Sequence, residues 1–244
     1  MIEIEVKNGC QYITMSRPEK KNALTDAMYM SMAQALERQD ETIACHVLRG
    51  AGGGFTAGND IMDFMRFHAN QTKPEGVERF LKALVTCQQP LIAAVEGDAI
   101  GVGTTMLFHC DMVIAADTAR LKTPFVDLGL VPEAAASLLA PRLMGHQKAF
   151  ELLCLGNSFS AEDAHRCGLV NQIVPAAQLN ETVSTLTATI AQKPREALRL
   201  SRQLLRPDAK QVMARMQEEI ALFEQRLLST EAQQAFMKFM SKAG

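Results

Sequence analysis

Apolar and polar residues alternate at the start of the chain, with Ile2, Ile4 and Val6 separated by Glu3 and Glu5, a period of two that predicts a strand. A second apolar run at 12–15 follows the dipeptide Asn8-Gly9, which tolerates the backbone of a tight hairpin turn, so 2–6 and 12–15 are expected to pair. A helical stretch is expected over 26–38, with Thr25 or Asp26 as its N-cap. Short apolar runs at 45–48, 91–95 and 112–116 predict buried strands, the first two leading into glycine-rich segments at 50–58 and 96–103. A helix is expected from about Thr104, a mostly irregular stretch over 121–131, and a further helix starting near Pro132-Glu133.

Strands separated by crossovers and helices favour a largely parallel α/β arrangement. Past Lys193-Pro194 the strand signals stop. Met213, Met216, Ile220, Phe223 and Leu227 recur at spacings of three and four, one face of an amphipathic helix whose simplest role is core packing. The chain thus divides into an α/β core over 1–192 and a helical region over 193–244, which packs on the core or on another subunit. The polar stretch 63–76, with Pro74 and Gly76, is expected to be a mobile loop near the site.

With 48% hydrophobic and 21% charged residues, the 244-residue chain can bury a sizeable core. A formal net charge of −2 without a long basic run argues against nucleic acid or an anionic membrane as the main partner. The six cysteines make no CxxC pair and have no zinc-site spacing, as expected of packed thiols in a reducing compartment. No apolar run reaches membrane-spanning length and the first residues lack the order of a signal peptide, which points to a cytosolic protein.

Two segments carry candidate chemistry. Gly52-Gly53-Gly54-Phe55-Thr56-Ala57-Gly58-Asn59-Asp60 and Gly97-Asp98-Ala99-Ile100-Gly101-Val102-Gly103-Thr104-Thr105 each follow a predicted strand. They are either tight turns or loops that aim one backbone N–H each at a single oxygen, an oxyanion hole. The spacings of a dinucleotide fingerprint, a phosphate loop and a serine-hydrolase elbow are absent. Glu133 has almost only apolar neighbours in sequence; it is either a desolvated proton shuttle or a first-turn glutamate complementing a helix dipole. Asp60, Asp111 and Asp127 read as turn braces, and the five histidines show no metal-ligand pairing. No metal or redox cofactor is expected.

Four segments in order resemble the crotonase (enoyl-CoA hydratase/isomerase) superfamily. Arg17-Pro18-Glu19-Lys20-Lys21-Asn22-Ala23-Leu24 is similar to its coenzyme A loop, the two glycine segments to its oxyanion loops, and Ala161-Glu162-Asp163-Ala164 with Cys167-Gly168-Leu169-Val170 to its distal segment. The resemblance implies a spiral of repeated ββα units with a C-terminal helical region, and an acyl-CoA thioester as substrate. It also implies a homotrimer or dimer of trimers, with the C-terminal helices at subunit contacts and covering the site. By position it makes the N–H groups of Asn59 and Val102 the oxyanion donors, and places Lys20, Lys21, Ala23, Leu24, Ala57, Asp60 and Ile61 along the coenzyme. Valine stands where glycine is frequent, which is harmless provided the backbone needs no positive φ. Lys242 is a further candidate for the coenzyme's phosphates from a neighbouring subunit, and Phe64, Met65 and Leu84 either line an acyl tunnel or pack the core.

The departures are informative. Thr105 and Phe125 occupy the positions of the two glutamates used by the family's hydratases, and neither moves a proton. Glu133, in Leu128-Gly129-Leu130-Val131-Pro132-Glu133, resembles instead the single catalytic glutamate of peroxisomal-type Δ3,Δ2-enoyl-CoA isomerases. The resemblance therefore implies isomerisation of a 3-enoyl-CoA to a 2-enoyl-CoA with one glutamate as proton shuttle. Hydration and non-catalytic acyl-CoA binding are the alternatives.

Overall fold

The computed structural model describes residues 1–38, 40–63 and 75–243, with the side chains of 239, 240, 242 and 243 left out. Phe64, Met65, most of the predicted loop and the Lys242 side chain therefore lie outside the described residues.

The hairpin forms around Asn8 and Gly9, at φ 52° and 72°, and joins β1 (Ile2–Lys7) to β2 (Cys10–Met15) with Ile4 opposite Ile13. The remaining strands are β3 (Cys45–Gly50), β4 (Leu91–Val95), β5 (Asp98–Ile100), β6 (Met112–Ala116), β7 (Arg120–Lys122), β8 (Phe159–Ser160) and β9 (Gln172–Val174). A six-stranded sheet runs β1-β2-β3-β4-β6-β9, antiparallel only at the hairpin, and a smaller sheet runs β5-β7-β8. The central strands read as continuous apolar runs because both faces of the large sheet are covered. Tyr12, Val47, Ile92 and Ile114 pack with Leu179 and Val183 of the helix Leu179–Ala191, while Ile13, Leu48, Ala93, Val95 and Val113 join the main core.

The helices are α1 (Asp26–Glu37), α2 (Glu75–Thr86), α3 (Val102–Thr105), α4 (Ala136–Leu153, interrupted at Gly145), α5 (Ala161–Arg166), α6 (Leu179–Ala191), α7 (Arg195–Leu205), α8 (Ala209–Leu227) and α9 (Thr230–Ala243). Thr25 caps α1 by accepting from the Met28 N–H. The expected methionine stripe is packed: Met216 is buried in the main core, Met213 and Ile220 lie against it, and Phe223 and Leu227 join a cluster around Phe125 and Leu130. Leu84 is core as well.

Two expectations need correction. The helix placed at Thr104 begins at Val102 and continues as a 3-10 turn over Met106–His109. Most consequentially, no helix begins at Pro132-Glu133: Ala134 and Ala135 are left-handed, at φ 61° and 55°, and α4 starts only at Ala136. Proline at a first helical turn is a local preference that the surrounding contacts override here.

Successive strands of the large sheet hand the chain to the small one in the same direction. After β3, Thr56 bridges Ala99 in parallel; after β4, β5 pairs in parallel with β7. This repeated step forms the spiral of ββα units and sets the two glycine segments side by side.

Candidate active site

The segment 21–24 is zipped to the first glycine loop by backbone bonds: Ala57 N to Lys21 O at 2.9 Å, Leu24 N to Gly58 O at 2.8 Å and Asp60 N to Leu24 O at 2.9 Å. Lys20 and Lys21 are exposed, Ala23, Ala57 and Ile61 partly covered, and Leu24 buried. Asn22, buried at φ 55°, organises the junction. Its side-chain amide donates to the carbonyls of Ala51 and Gly54, each at 2.8 Å, and its side-chain oxygen accepts from the Arg17 N–H at 2.8 Å. Arg17 in turn pairs with Asp60 at 2.6 Å. Burial alone would push the Asp60 carboxyl up, but Arg17 and the N–H groups of Asp63 and Met62 hold it below the usual carboxylate range. Asp60 is thus the turn brace expected of it, whereas Asp111 joins distant segments, accepting from the Leu91 N–H at 2.7 Å and pairing with Arg202 at 2.7 Å.

The second loop approaches the first closely. Thr56 N donates to Asp98 O and Ile100 N to Thr56 O, both at 2.9 Å. A Cβ on Gly58 would stand 2.7 Å from the Ile100 carbonyl oxygen, and Gly58 has φ +86°. Gly58→Ala is expected to part the loops and destabilise the fold by about 1–3 kcal/mol. A urea-unfolding midpoint equal to the parent's would contradict that contact. Val102 is the first residue of α3, where helix geometry leaves the N–H without an intrahelical acceptor. The positive φ falls on Gly101, at 57°, and not on Val102, so valine meets the backbone condition set above. Among the described residues, neither the Asn59 N–H nor the Val102 N–H donates to a backbone acceptor.

Glu133 is 5% exposed and its Oε1 accepts from the Thr105 hydroxyl at 2.8 Å, so the carboxyl stands beside the helix that Val102 opens. Burial pushes its pKa up to about 7, the Thr105 hydroxyl opposing this and the charge of Glu219 adding to it. The Thr105 hydroxyl thus holds the Glu133 carboxyl in place. Phe125 is buried with its ring edge-on to Phe223, 6.4 Å between centroids. Tyr29, buried on α1, donates its hydroxyl to the Asn59 side-chain oxygen. Burial and then the nearby Glu133 raise the Tyr29 pKa well above its ordinary value, so its hydroxyl stays protonated as the donor to Asn59. His109 is buried, its Nε2 donating to the Ala134 carbonyl at 2.8 Å.

Sequence reasoning passed over Asn22, Tyr29 and Glu219. Only Asn22 carried a local signal, an asparagine tolerant of left-handed backbone within the quoted segment. A pocket of ≈ 260 Å³ lies between Lys21, Asn22, the loop Gly52-Gly53-Gly54 and Asp98. The larger groove, ≈ 970 Å³, is lined by Cys87, Asp111, Arg202 and Arg206, with neither Glu133 nor the two loop donors in its wall. Among the described residues no helix is long and apolar enough to cross a membrane.

A fold of stacked strand–turn–strand units, with two glycine loops meeting beside a buried carboxyl, defines a class of acyl-thioester proteins, and the comparisons place the chain within it. The family model for enoyl-CoA hydratase/isomerase matches residues 5–243, and the chain belongs to that family. Enoyl-CoA delta isomerase 2 of Rattus norvegicus is 33% identical over 249 residues, covering 99% of this chain and 63% of its own length. The chain thus spans less than two thirds of that longer relative. The 1,2-epoxyphenylacetyl-CoA isomerase of Escherichia coli (strain K12) is 37% identical over 211 residues, covering 82% of this chain and 79% of its own. The crystal structure of an enoyl-CoA hydratase/isomerase from Pseudoalteromonas atlantica T6c superimposes with a TM-score of 0.94 at 37% identity, covering 99% of this chain and 97% of that one.

Proposed function

We propose that the chain isomerises a 3-enoyl-CoA to the conjugated 2-enoyl-CoA, with Glu133 as the sole proton shuttle. The observation that carries this is the buried Glu133 carboxyl on the Thr105 hydroxyl; the resemblance, which implies Thr105 and Phe125 at the positions of a hydratase's glutamates, supports it. The enoyl-CoA delta isomerase relative supports it.

Glu133, ionised, takes the C2 proton of the bound 3-enoyl thioester. The electrons of the C2–H bond form a C1=C2 double bond while the carbonyl π pair moves onto the thioester oxygen, giving a dienolate conjugated with the C3=C4 double bond. The N–H groups of Asn59 and Val102 hold that oxygen while it carries charge. Glu133 then returns the proton at C4, which leaves the double bond between C2 and C3 and discharges the oxygen. A base whose pKa lies near the working pH both takes and returns the proton with little penalty, and burial places Glu133 there. Lys20 and Lys21 supply positive charge for the coenzyme's phosphates, and Ala23, Leu24, Ala57, Asp60 and Ile61 form or brace the wall along which the coenzyme lies. No further cofactor is needed for these steps. Leu204 and Leu205 on α7, each 87% exposed, offer apolar surface for the subunit contact of a trimer.

The test follows the conjugated thioester by ultraviolet absorbance. A rise with 3-enoyl-CoA supports isomerisation. A fall with 2-enoyl-CoA and no rise with the first substrate would establish hydration instead, and binding without either change a non-catalytic acyl-CoA protein. Thr105→Val tests the carboxyl's environment. The threonine hydroxyl favours the ionised form of Glu133, so its removal raises that pKa above about 7. The acid limb of the kcat/KM profile is expected to move to higher pH, with activity lost at neutrality and recovered in alkaline buffer; an unmoved limb counts against Glu133 as the base.

A further inference from the structure

The Glu133 carboxyl stands on a turn held from outside. Ala134 and Ala135 are both left-handed, a conformation unfavourable for alanine that persists only where the surroundings over-determine it. From one side His109 Nε2 donates to the Ala134 carbonyl at 2.8 Å. From the other, Glu219 Oε1 on α8 accepts from the Ser137 N–H at 2.9 Å and from the Ser137 hydroxyl at 2.5 Å, and the Ala135 N–H bears on the same carboxylate. Ala135, the N-cap residue of α4, has no side-chain cap of its own, so Glu219 supplies one from a distant helix. Glu219 is 4% exposed and its Oε2 has no hydrogen-bond partner among the described residues. A second buried carboxylate so close to the first is unfavourable to folding unless its backbone bonds are worth the cost.

We propose that Glu219 is a positioning residue: through Ser137 and the left-handed turn it sets where the Glu133 carboxyl stands, and its charge acts on Glu133 across that turn. This rests on Glu133 being the proton shuttle. The groups that face Glu133 are the Thr105 hydroxyl from α3, Tyr29 from α1 and Glu219 from α8; Glu219 is faced by Ser137 from α4 and by Arg215 of its own helix. Burial raises the Glu133 pKa most, Thr105 lowers it and Glu219 raises it further. His109 at the turn is held neutral, burial lowering its pKa to about 4. Removing the Glu219 charge therefore lets Glu133 stay ionised to lower pH.

The experiment compares the full chain with Glu219→Gln, Glu219→Ala and Glu133→Gln. It measures 3-enoyl-CoA turnover across pH and the Kd of a saturated acyl-CoA. Glutamine retains an oxygen for Ser137 but no charge. It should keep turnover at the plateau within about threefold while the acid limb of kcat/KM moves down by about half a pH unit or more. Alanine releases the turn and should lower kcat by about tenfold or more, with KM and the Kd of the saturated analogue nearly unchanged. A Glu219→Gln profile that coincides with the parent's overturns the proposal, as does a Glu219→Ala kcat within twofold of it. If the alanine variant does not fold, the position of the glutamine variant's acid limb decides alone. Full activity in Glu133→Gln overturns the proton-shuttle reading and this inference together. An inactive Glu133→Gln with unaltered Glu219 variants overturns only this one.

Discussion

Glu133→Gln is expected to lower kcat for 3-enoyl-CoA isomerisation by about a thousandfold or more, while a saturated acyl-CoA still binds. The amide is close in shape to the acid and can still accept from the Thr105 hydroxyl, so the substitution removes the proton acceptor with little change in packing. Stability provides an independent check. In the folded chain burial raises the Glu133 pKa from its ordinary 4.5 to about 7, so between those values the folded state binds more protons than the unfolded one. The favourable contribution of the protonated carboxyl is present below the lower value and is lost as pH rises through about 7. The glutamine variant should therefore gain melting temperature relative to the parent as pH rises from about 4.5 to about 7, with the difference level above that. Retained isomerase activity would remove Glu133 from the mechanism, and parallel melting curves from pH 5 to 9 would contradict its burial as a charged group.

Val102→Pro is expected to lower kcat by about a hundredfold to a thousandfold, the usual loss when one oxyanion donor is deleted. The site allows a clean test because Val102 is the first residue of α3, the helical position that accommodates proline best and whose N–H has no intrahelical partner to lose. The variant thus removes one hydrogen atom's worth of chemistry and keeps the helix start. Val102→Ala, which retains the N–H, should stay within a few-fold of the parent and serves as the control for lost side-chain volume. Equal activity in the proline and alanine variants would mean that the thioester oxygen is held elsewhere.

The hairpin, the buried parallel strands, the Thr25 cap and the packed methionine stripe were legible in the chain because each depends on spacings within a few residues. The two glycine segments were legible as turns with free N–H groups, though glycine content alone favoured ordinary turns. The residues that hold the site together were not legible. Thr105 and Glu133 are 28 residues apart, Tyr29 and Asn59 30, and Ser137 and Glu219 82. No local pattern encodes such pairs, since what joins them is the stacking of one strand–turn–strand unit on the next. The turn after Glu133 marks the boundary most clearly: proline followed by glutamate and three alanines favours a helix, and local propensity is worth only a few tenths of a kcal/mol per residue. His109 and Glu219, arriving from elsewhere in the fold, supply enough hydrogen bonding to hold Ala134 and Ala135 left-handed instead. Residue types and order thus name the family and its candidate groups. The direction in which Glu133 points, the neighbour that tunes it and the meeting of the two loops arise from long-range contacts formed only once the sheet and helices close around them.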